Sequence, residues 1–239
     1  MEGNGRDPGE GQGDHRPDRS PREVARAVEA LRAGDLVILP TETVYGLAAD
    51  ATNPRAVARV YDAKGRPSFN PLIAHVPDFA AAEKIAVLDE RGRKLAEAFW
   101  PGPLTIVAPA RGGVSDLARA GLDTVAVRVP AHPLAREVLA GFGGPVVAPS
   151  ANRSGRPSPT TFADAVEETG DAAAVALDGG PCRIGLESTV VALIDAPRLL
   201  RPGAVTRGQI EALIGPLAEA EADAKRSPGR LSVHYAPDA

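Results

Sequence analysis

Short apolar runs alternate with amphipathic stretches along most of the chain. The run at 35–40 (DLVILP) contains four consecutive apolar residues, which is typical of a strand that is buried on both faces. Runs of this kind predict strands at 35–40, 70–76, 104–110, 123–130, 144–150, 173–178, 188–195 and 198–203.

The amphipathic stretches carry helix start and stop signals. Residues 20–34 (SPREVARAVEALRAG) begin with Ser20 as N-cap, Pro21 at the first helical position and Glu23 completing a capping box. Asn53 has the same capping position in a second helix. The full set of predicted helices is 20–34, 53–65, 88–100 and the stretches near 133–140, 161–170 and 206–215.

The order of these elements predicts an α/β fold. Strands and helices alternate, but several strands follow one another too closely for a helix to lie between them. This spacing favours a mixed sheet with helices on its faces over a purely parallel one. We expect one domain at 20–215, preceded by a disordered tail at 1–19 that is rich in Gly, Asp and Arg, and followed by a charged, Ala-rich linker at 216–239.

Composition narrows the class of protein. Hydrophobic residues make up 44% of the 239 residues, which is enough for a packed core, and the formal net charge of −4 argues against a protein that coats nucleic acid. The single cysteine excludes an internal disulfide and a Cys-rich zinc site. No apolar run approaches the roughly 20 residues of a membrane span, and no apolar leader is visible. We expect a cytoplasmic protein.

Polar and cationic segments stand where predicted strands end, which is where ligands bind in open α/β sheets. Each has a structural alternative, such as a hydroxyl-capped turn or an ordinary helix-capping loop. The segments are PTETVYGL (40–47), KGRPSFNPLIAHV (64–76), TVAVRVP (124–130), APSANRSGRPSPTT (148–161) and GLESTVV (185–191) with RLLRPG (198–203).

Cations within these segments point to an anion site. Lys64 ends a helix, where the helix dipole favours a cation even without a ligand. With Arg66 two residues later and His75 in the next strand, however, it forms a cluster suited to a phosphate or carboxylate. Arg128 lies in a strand pattern that is otherwise apolar. An arginine there needs a partner or an anion, unless the strand is a solvent-facing edge.

Several common site types are missing from the sequence. It contains no phosphate-binding P-loop, no G-x-G-x-x-G after a strand and no G-x-S-x-G elbow. Its four histidines are scattered and its acidic residues form no tight cluster, so we expect no protein metal cage. What remains is a pocket of Lys and Arg with hydroxyl side chains, which acts by positioning and charge neutralisation.

A series of motifs follows in order along the chain: PTETVYGL, K-x-R-P with PLIAHV, WPGPLTIV, TVAVRVP, APSANRSG, ESTVV and RPG. With this series the chain resembles the YrdC-like threonylcarbamoyl-adenylate synthases between Ser20 and Gly215. The resemblance implies a single α/β domain with a twisted mixed sheet around a deep basic cavity. It also implies a nucleotidyltransferase that joins L-threonine, bicarbonate and ATP, releases pyrophosphate and uses Mg²⁺ held mainly by the ATP phosphates.

Residue roles follow from the same resemblance. Lys64 and Arg66 are the implied catalytic residues. The residues that resemble the threonine-binding set are Thr41, His75, Arg128, Ala148 and Ser188. The residues that resemble the nucleotide-binding set are Lys64, Arg66, Ser68, Thr124, Ser150, Asn152, Ser158, Arg201 and Tyr235.

The last residues, RSPGRLSVHYAPDA, resemble the linker of longer family members, in which a second domain follows. In those members the linker crosses the mouth of the cavity and its tyrosine reaches the nucleotide, so the resemblance implies a lid that carries Tyr235. The sequence stops where that second domain would begin. A frayed end is the alternative interpretation.

The resemblance further implies a downstream transferase that passes the threonylcarbamoyl group to tRNA, with at most weak tRNA binding by this chain. One alternative is an RNA-binding module of the same fold without synthase activity. Another is an enzyme acting on sugar phosphates, which would need an acidic metal cluster that the sequence lacks. A carbamoyl-transfer module would normally sit in a much larger chain.

Overall fold

Nine strands join into one mixed sheet in the computed structural model, which describes residues 21–218. The sheet order is β7-β1-β2-β6-β3-β5-β4-β8-β9, and both parallel and antiparallel neighbours occur. The predicted mixed α/β fold is therefore confirmed. The strands are β1 (Leu36–Leu39), β2 (Gly46–Asp50), β3 (Ile73–His75), β4 (Leu104–Pro109), β5 (Thr124–Arg128), β6 (Val146–Val147), β7 (Ala173–Ala176), β8 (Thr189–Ala192) and β9 (Arg198–Arg201).

The predicted helices are present, and their local signals act as expected. Asn53 caps α2, since its side-chain oxygen accepts from the backbone N–H groups of Arg55 and Ala56. The cap predicted at Ser20 lies outside the described residues. The helices are α1 (Pro21–Arg32), α2 (Pro54–Lys64), α3 (Phe79–Ile85), α4 (Glu90–Phe99), α5 (Pro133–Phe142), α6 (Phe162–Thr169) and α7 (Arg207–Ile214).

Two elements were not predicted from the sequence, β2 and α3. The β2 sequence is GLAAD, and glycine and alanine are poor strand formers, so the strand depends on its pairing with β1 and β6. At Gly46 a Cβ atom would lie 3.0 Å from the Cβ of Ala148, which makes the small residue necessary for this close approach. α3 is only seven residues long and is held by its N-cap, Asp78.

Helices cover the two faces of the sheet unequally. On one face α2, α3, α4, α6 and α7 pack over the largest apolar core. On the other face α1 and α5 pack only over the part built from β1, β2 and β6. The neighbouring part carries a small separate apolar patch, in which no helical residue takes part within the described residues 21–218. Its members are Ile73, Val107, Ala126, Val190, Ala192 and Leu200.

The edges of the proposed domain remain predictions. α7 ends at Ile214, and Ala218 still forms an isolated bridge with Arg198. The predicted tail at 1–19 and nearly all of the predicted linker at 216–239 lie outside the described residues. Between 21 and 218, no helix combines the length and apolar character needed to cross a membrane.

Candidate active site

A cavity lies on the face of the sheet that α1 and α5 leave open. It is bordered by the turn after β1, the loop before β3, the ends of β3 and β5, the loop after β6 and the segment before β8. Eight predicted site residues line it, and they come from segments that are far apart in the chain. These residues are Thr41, Arg66, His75, Arg128, Ala148, Ser150, Ser188 and Arg201.

Arg128 lies in a central strand, so the solvent-facing alternative is excluded. Its guanidinium is bound by Glu42, whose Oε1 lies 2.5 Å from Nη2, while both side chains are about 4% exposed. Nη1 donates to Thr43 Oγ1 and Nε donates to the carbonyl of Gly102. These three bonds use three of the five guanidinium N–H groups. One N–H on each terminal nitrogen remains available for a carboxylate.

Glu42 is fixed as firmly as Arg128. Its Oε2 accepts from the backbone N–H of Ala131 at 3.0 Å, and its carbonyl accepts from Ile184. Burial alone would raise the pKa of Glu42, but the Arg128 guanidinium and the backbone N–H groups of Glu42 itself and Ala131 lower it below its ordinary value. The pair is therefore ionised at neutral pH, with the arginine held in one orientation.

The turn after β1 presents hydroxyl groups to the cavity. Thr41 Oγ1 donates to the carbonyl of Val44 at 2.6 Å and accepts from the N–H groups of Thr43 and Val44. On β3, which pairs with the strand of Arg128, burial and the nearby Arg128 lower the pKa of His75 to about 3. His75 is thus a neutral ring at pH 7 and adds no charge to the cavity.

A second network joins β8 and β9. Arg201 donates through Nε to the carbonyl of Ser188 and through Nη2 to its Oγ, and Ser188 Oγ lies 2.8 Å from Thr105 Oγ1. Arg201 also faces Glu187, with 3.5 Å between Nη1 and Oε2. Ser158 donates to the other oxygen of Glu187 at 2.7 Å. Ser158 itself does not line the cavity.

Lys64 is buried behind the cavity wall instead of lining it. Its ammonium group donates to the carbonyl of Asn152 at 2.5 Å and also to that of Ser150. Burial and the neighbouring Arg66 lower the pKa of Lys64 to about 7. In this structure Lys64 therefore fixes the start of the loop at 150–158.

Not every predicted site residue reaches the cavity. Ser68 is exposed on the loop before β3, and Thr124 lies at the opposite end of β5 from Arg128, about 13 Å away along the strand. Asn152 is buried and donates to the carbonyls of Arg153 and Arg156, so it shapes its own loop. Tyr235 lies outside the described residues.

Sequence reasoning missed three polar residues of the site. Thr43 and Glu187 line the cavity, and Glu42 supports Arg128 from behind. All three stand inside motifs that were singled out, PTETVYGL and GLESTVV. The signal for Glu42 was present, because an arginine buried in a strand requires a counter-ion. Nothing in the sequence says that this counter-ion lies 86 residues earlier.

The cavity favours an anion bound by positioned cations. Arg66, Arg128 and Arg201 line it, and Glu187 is the carboxylate that balances part of this charge. Within residues 21–218, no three His, Cys, Asp or Glu side chains lie together as a metal site would require. The arrangement suits a substrate that carries phosphate and carboxylate groups.

Gly203 permits the close packing of the RPG segment against β8. A Cβ atom at this position would lie 2.6 Å from the Thr189 nitrogen and 2.7 Å from the Glu187 carbonyl oxygen, both of which are backbone atoms. We therefore predict that Gly203→Ala shifts Arg201 and Ser188 and lowers the free energy of unfolding by about 1–3 kcal/mol. Urea denaturation measures the effect, and Gly208→Ala is the control, since a Cβ there meets no atom within 4 Å. Equal stability of the two variants would contradict this prediction.

Comparison with known proteins identifies the family. The Sua5/YciO/YrdC family model, which carries the description "Telomere recombination", matches residues 29–203. The chain belongs to this family. The matched residues, 29–203, include every described segment that borders the cavity, from the turn after β1 to the RPG segment.

Two curated relatives are threonylcarbamoyl-AMP synthases. The protein of Bacillus subtilis (strain 168) is 45% identical over 225 residues, which cover 91% of this chain and 65% of the relative. The protein of Pyrococcus abyssi (strain GE5 / Orsay) is also 45% identical over 225 residues, covering 91% of this chain and 66% of the relative. This member of the family therefore spans about 65% of the length of these relatives.

Solved structures agree with this assignment. P. abyssi Sua5 complexed with L-threonine matches with a TM-score of 0.83 and 43% identity, covering 86% of this chain and 63% of that one. A P. abyssi Sua5 variant, in which a histidine and the next tyrosine are both alanine, matches with a TM-score of 0.83 and 42% identity, covering 88% and 64%. The fold of the present chain is that of Sua5.

Proposed function

We propose that this protein is an L-threonylcarbamoyladenylate synthase, which condenses L-threonine, bicarbonate and ATP and releases pyrophosphate. The observation that carries the proposal is the cavity that presents three arginines among hydroxyl side chains. Two relatives 45% identical to this chain bear the name of such a synthase, and the P. abyssi protein has been solved with L-threonine. These matches favour the synthase over an RNA-binding module.

Arg128 would hold the threonine carboxylate. Its remaining N–H groups lie on the two terminal nitrogens, and a carboxylate can accept from both at once. Glu42, Thr43 and Gly102 hold the guanidinium still, so little side-chain entropy is lost when the substrate binds. Thr41, His75, Ala148 and Ser188 also line the cavity and would complete the proposed threonine site.

The nucleotide would bind in the same cavity. Arg66 and Arg201 would face the phosphates, where negative charge develops as pyrophosphate leaves. Ser150 also lines the cavity, and Lys64 would act through the loop that it fixes. The roles of Ser68, Thr124, Asn152, Ser158 and Tyr235 toward the nucleotide remain predictions, and so does the lid formed by residues 227–239.

The proposed reaction forms a mixed anhydride. The threonine amine and bicarbonate give a carbamate, and a carbamate oxygen attacks the α-phosphorus of ATP while the bond to the pyrophosphate oxygen breaks. The residues contribute orientation and charge, which suffice for a phosphoryl-type transfer. Mg²⁺ would arrive on the ATP phosphates, since no cluster of acidic side chains that could hold it occurs within residues 21–218.

One assay tests the proposal. The purified protein is incubated with ATP, Mg²⁺ and bicarbonate, with each of several amino acids in turn, and pyrophosphate is measured. We expect release that depends on L-threonine and on bicarbonate. Release without threonine dependence would contradict the proposal, and salt-sensitive RNA binding without any release would favour the RNA-binding alternative. The product would serve a separate transferase that modifies tRNA.

A further inference from the structure

Glu187 lies at the boundary between the two proposed substrate sites. It directly precedes Ser188 of the threonine site, and its side chain contacts Ser158 and Arg201, which belong to the predicted nucleotide set. Among the described residues that line the cavity, it is the one carboxylate. Its side chain lines the cavity and is 21% exposed.

The proposed reaction requires a proton acceptor at such a boundary. At neutral pH the threonine amine is an ammonium group without a free electron pair, and it cannot attack carbon. Conversion of the ammonium group and bicarbonate into a carbamate and water releases one proton. The amine must lie next to the α-phosphate of ATP, because the carbamate formed on it attacks that phosphate. The acceptor is therefore needed where the threonine and nucleotide sites meet.

We propose that Glu187 binds the α-ammonium group of the amino-acid substrate and accepts one of its protons during carbamate formation. This inference rests on the proposed synthase function. The N–H bond breaks, its electrons stay on nitrogen, and the proton moves to the carboxylate. The amine then attacks the bicarbonate carbon, and hydroxide departs and leaves as water with a second proton from nitrogen. Glu187 returns its own proton to solvent.

The other titratable groups of the cavity are less suited to this step. Burial and Arg128 lower the pKa of His75 to about 3, so its ring is neutral at pH 7 and has no negative charge to bind an ammonium group. Lys64 does not line the cavity, and its ammonium donates to two backbone carbonyls. Arg66 and Arg201 cannot accept a proton at neutral pH.

The surroundings of Glu187 keep it ready for this role. Burial alone would raise the pKa of Glu187, but Arg201, the hydrogen bond from Ser158, and the charges of Lys64 and Arg128 lower it, so the carboxylate is ionised at neutral pH. Its contact with Arg201 is 3.5 Å long, which is longer than the 2.7 Å hydrogen bond from Ser158. Because ATP phosphates would compete for Arg201, nucleotide binding would weaken this contact and raise the proton affinity of Glu187.

The first test is Glu187→Gln, which keeps the shape of the side chain and removes its basicity. We expect threonine-dependent pyrophosphate release to fall by about 100-fold or more at pH 7. The rate of the variant should recover by about tenfold per pH unit as the pH rises, since solution base then supplies the free amine. The control is Glu83→Gln, which removes a surface carboxylate paired with Arg93 and should leave activity unchanged.

The second test runs the reaction backwards. Threonylcarbamoyl-adenylate and pyrophosphate are supplied, and ATP is measured. This step breaks the bond between the carbamate oxygen and phosphorus and needs no proton removal from an ammonium group. Glu187→Gln should therefore retain ATP formation within about threefold of the wild-type rate. A residue that binds Mg²⁺ or phosphate, or that only supports the fold, would affect both directions alike.

The outcomes separate this inference from the proposed function. Wild-type protein that releases no pyrophosphate in response to threonine overturns both. If the wild-type protein releases pyrophosphate in a threonine-dependent way and Glu187→Gln is fully active, only the role of Glu187 is overturned. The same holds if Glu187→Gln loses forward and reverse activity to the same extent. Glu187→Asp covers the case in which the amide variant does not fold. This variant keeps the carboxylate on a side chain that is one methylene shorter. We expect its forward activity to fall more than its reverse activity.

Discussion

Replacing Arg128 by alanine should raise the threonine KM by roughly 100-fold, because the proposed site loses the cation that holds the substrate carboxylate. The same change should lower the free energy of unfolding by about 3–5 kcal/mol. It leaves Glu42, which is about 4% exposed, without its counter-ion. Pyrophosphate release and urea denaturation measure the two effects.

A double variant separates the two effects of this change. Arg128→Met combined with Glu42→Gln removes both charges and keeps comparable volume, so much of the lost stability should return. Threonine binding should not return, since the carboxylate partner is still missing. An unchanged threonine KM in Arg128→Ala would count against the role of Arg128 and would leave the Glu42 pair as a structural ion pair.

Replacing Lys64 by methionine should reduce pyrophosphate release by about 100-fold or more, mainly through a higher KM for ATP. The carbonyls of Ser150 and Asn152 lose their donor, and each buried carbonyl left unpaired costs about 1–3 kcal/mol. The loop at 150–158 is then no longer held against the cavity. Lys84→Met is the matched control, since Lys84 is exposed on α3 and should be tolerated. Full activity of Lys64→Met would contradict the role assigned to this loop.

The pH dependence of stability provides an independent readout for Lys64. Burial, followed by the charge of Arg66, lowers its pKa to about 7 from the ordinary 10.5. Between these values the unfolded chain binds the proton and the folded chain does not, so the free energy of unfolding rises with pH in that window. The cost of burying the charge is fully present below pH 7 and disappears toward pH 10.5. This rise should be absent in Lys64→Met. A rise of equal size in that variant would show that Lys64 is not its source.

The sequence predicted the elements that carry strong local signals. Apolar runs marked eight strands, and caps such as Asn53 marked helix starts, because these signals lie within a few neighbouring residues. The strand β2 and the helix α3 were missed. The first is made of small residues whose strand geometry depends on β1 and β6, and the second is too short for a clear periodic pattern.

The candidate site was predicted in its residue types and only partly in its geometry. Arg128 stood out because a cation inside an apolar strand is costly, and Arg201 stood out as a cation at the margin of a predicted strand. The carboxylate partner of Arg128 could not be assigned, since Glu42 reaches it across 86 residues of chain, and the contact between Glu187 and Ser158 spans 29 residues. Pairings of this range are decided by the strand order. Lys64 was expected to contact the nucleotide, but its ammonium group donates to the backbone carbonyls of Ser150 and Asn152.

The strand order has a consequence for synthesis of the protein. β1 and β2 pair with each other, but β1 also pairs with β7 and β2 with β6, so each waits for a second partner made more than ninety residues later. Arg201 is the last described residue that lines the cavity, and chains grow from the N-terminus at about 5–20 residues per second. Until Arg201 has been made, the growing chain has other arginines of the site but no complete pocket. Prematurely released fragments should therefore neither bind the nucleotide nor consume it.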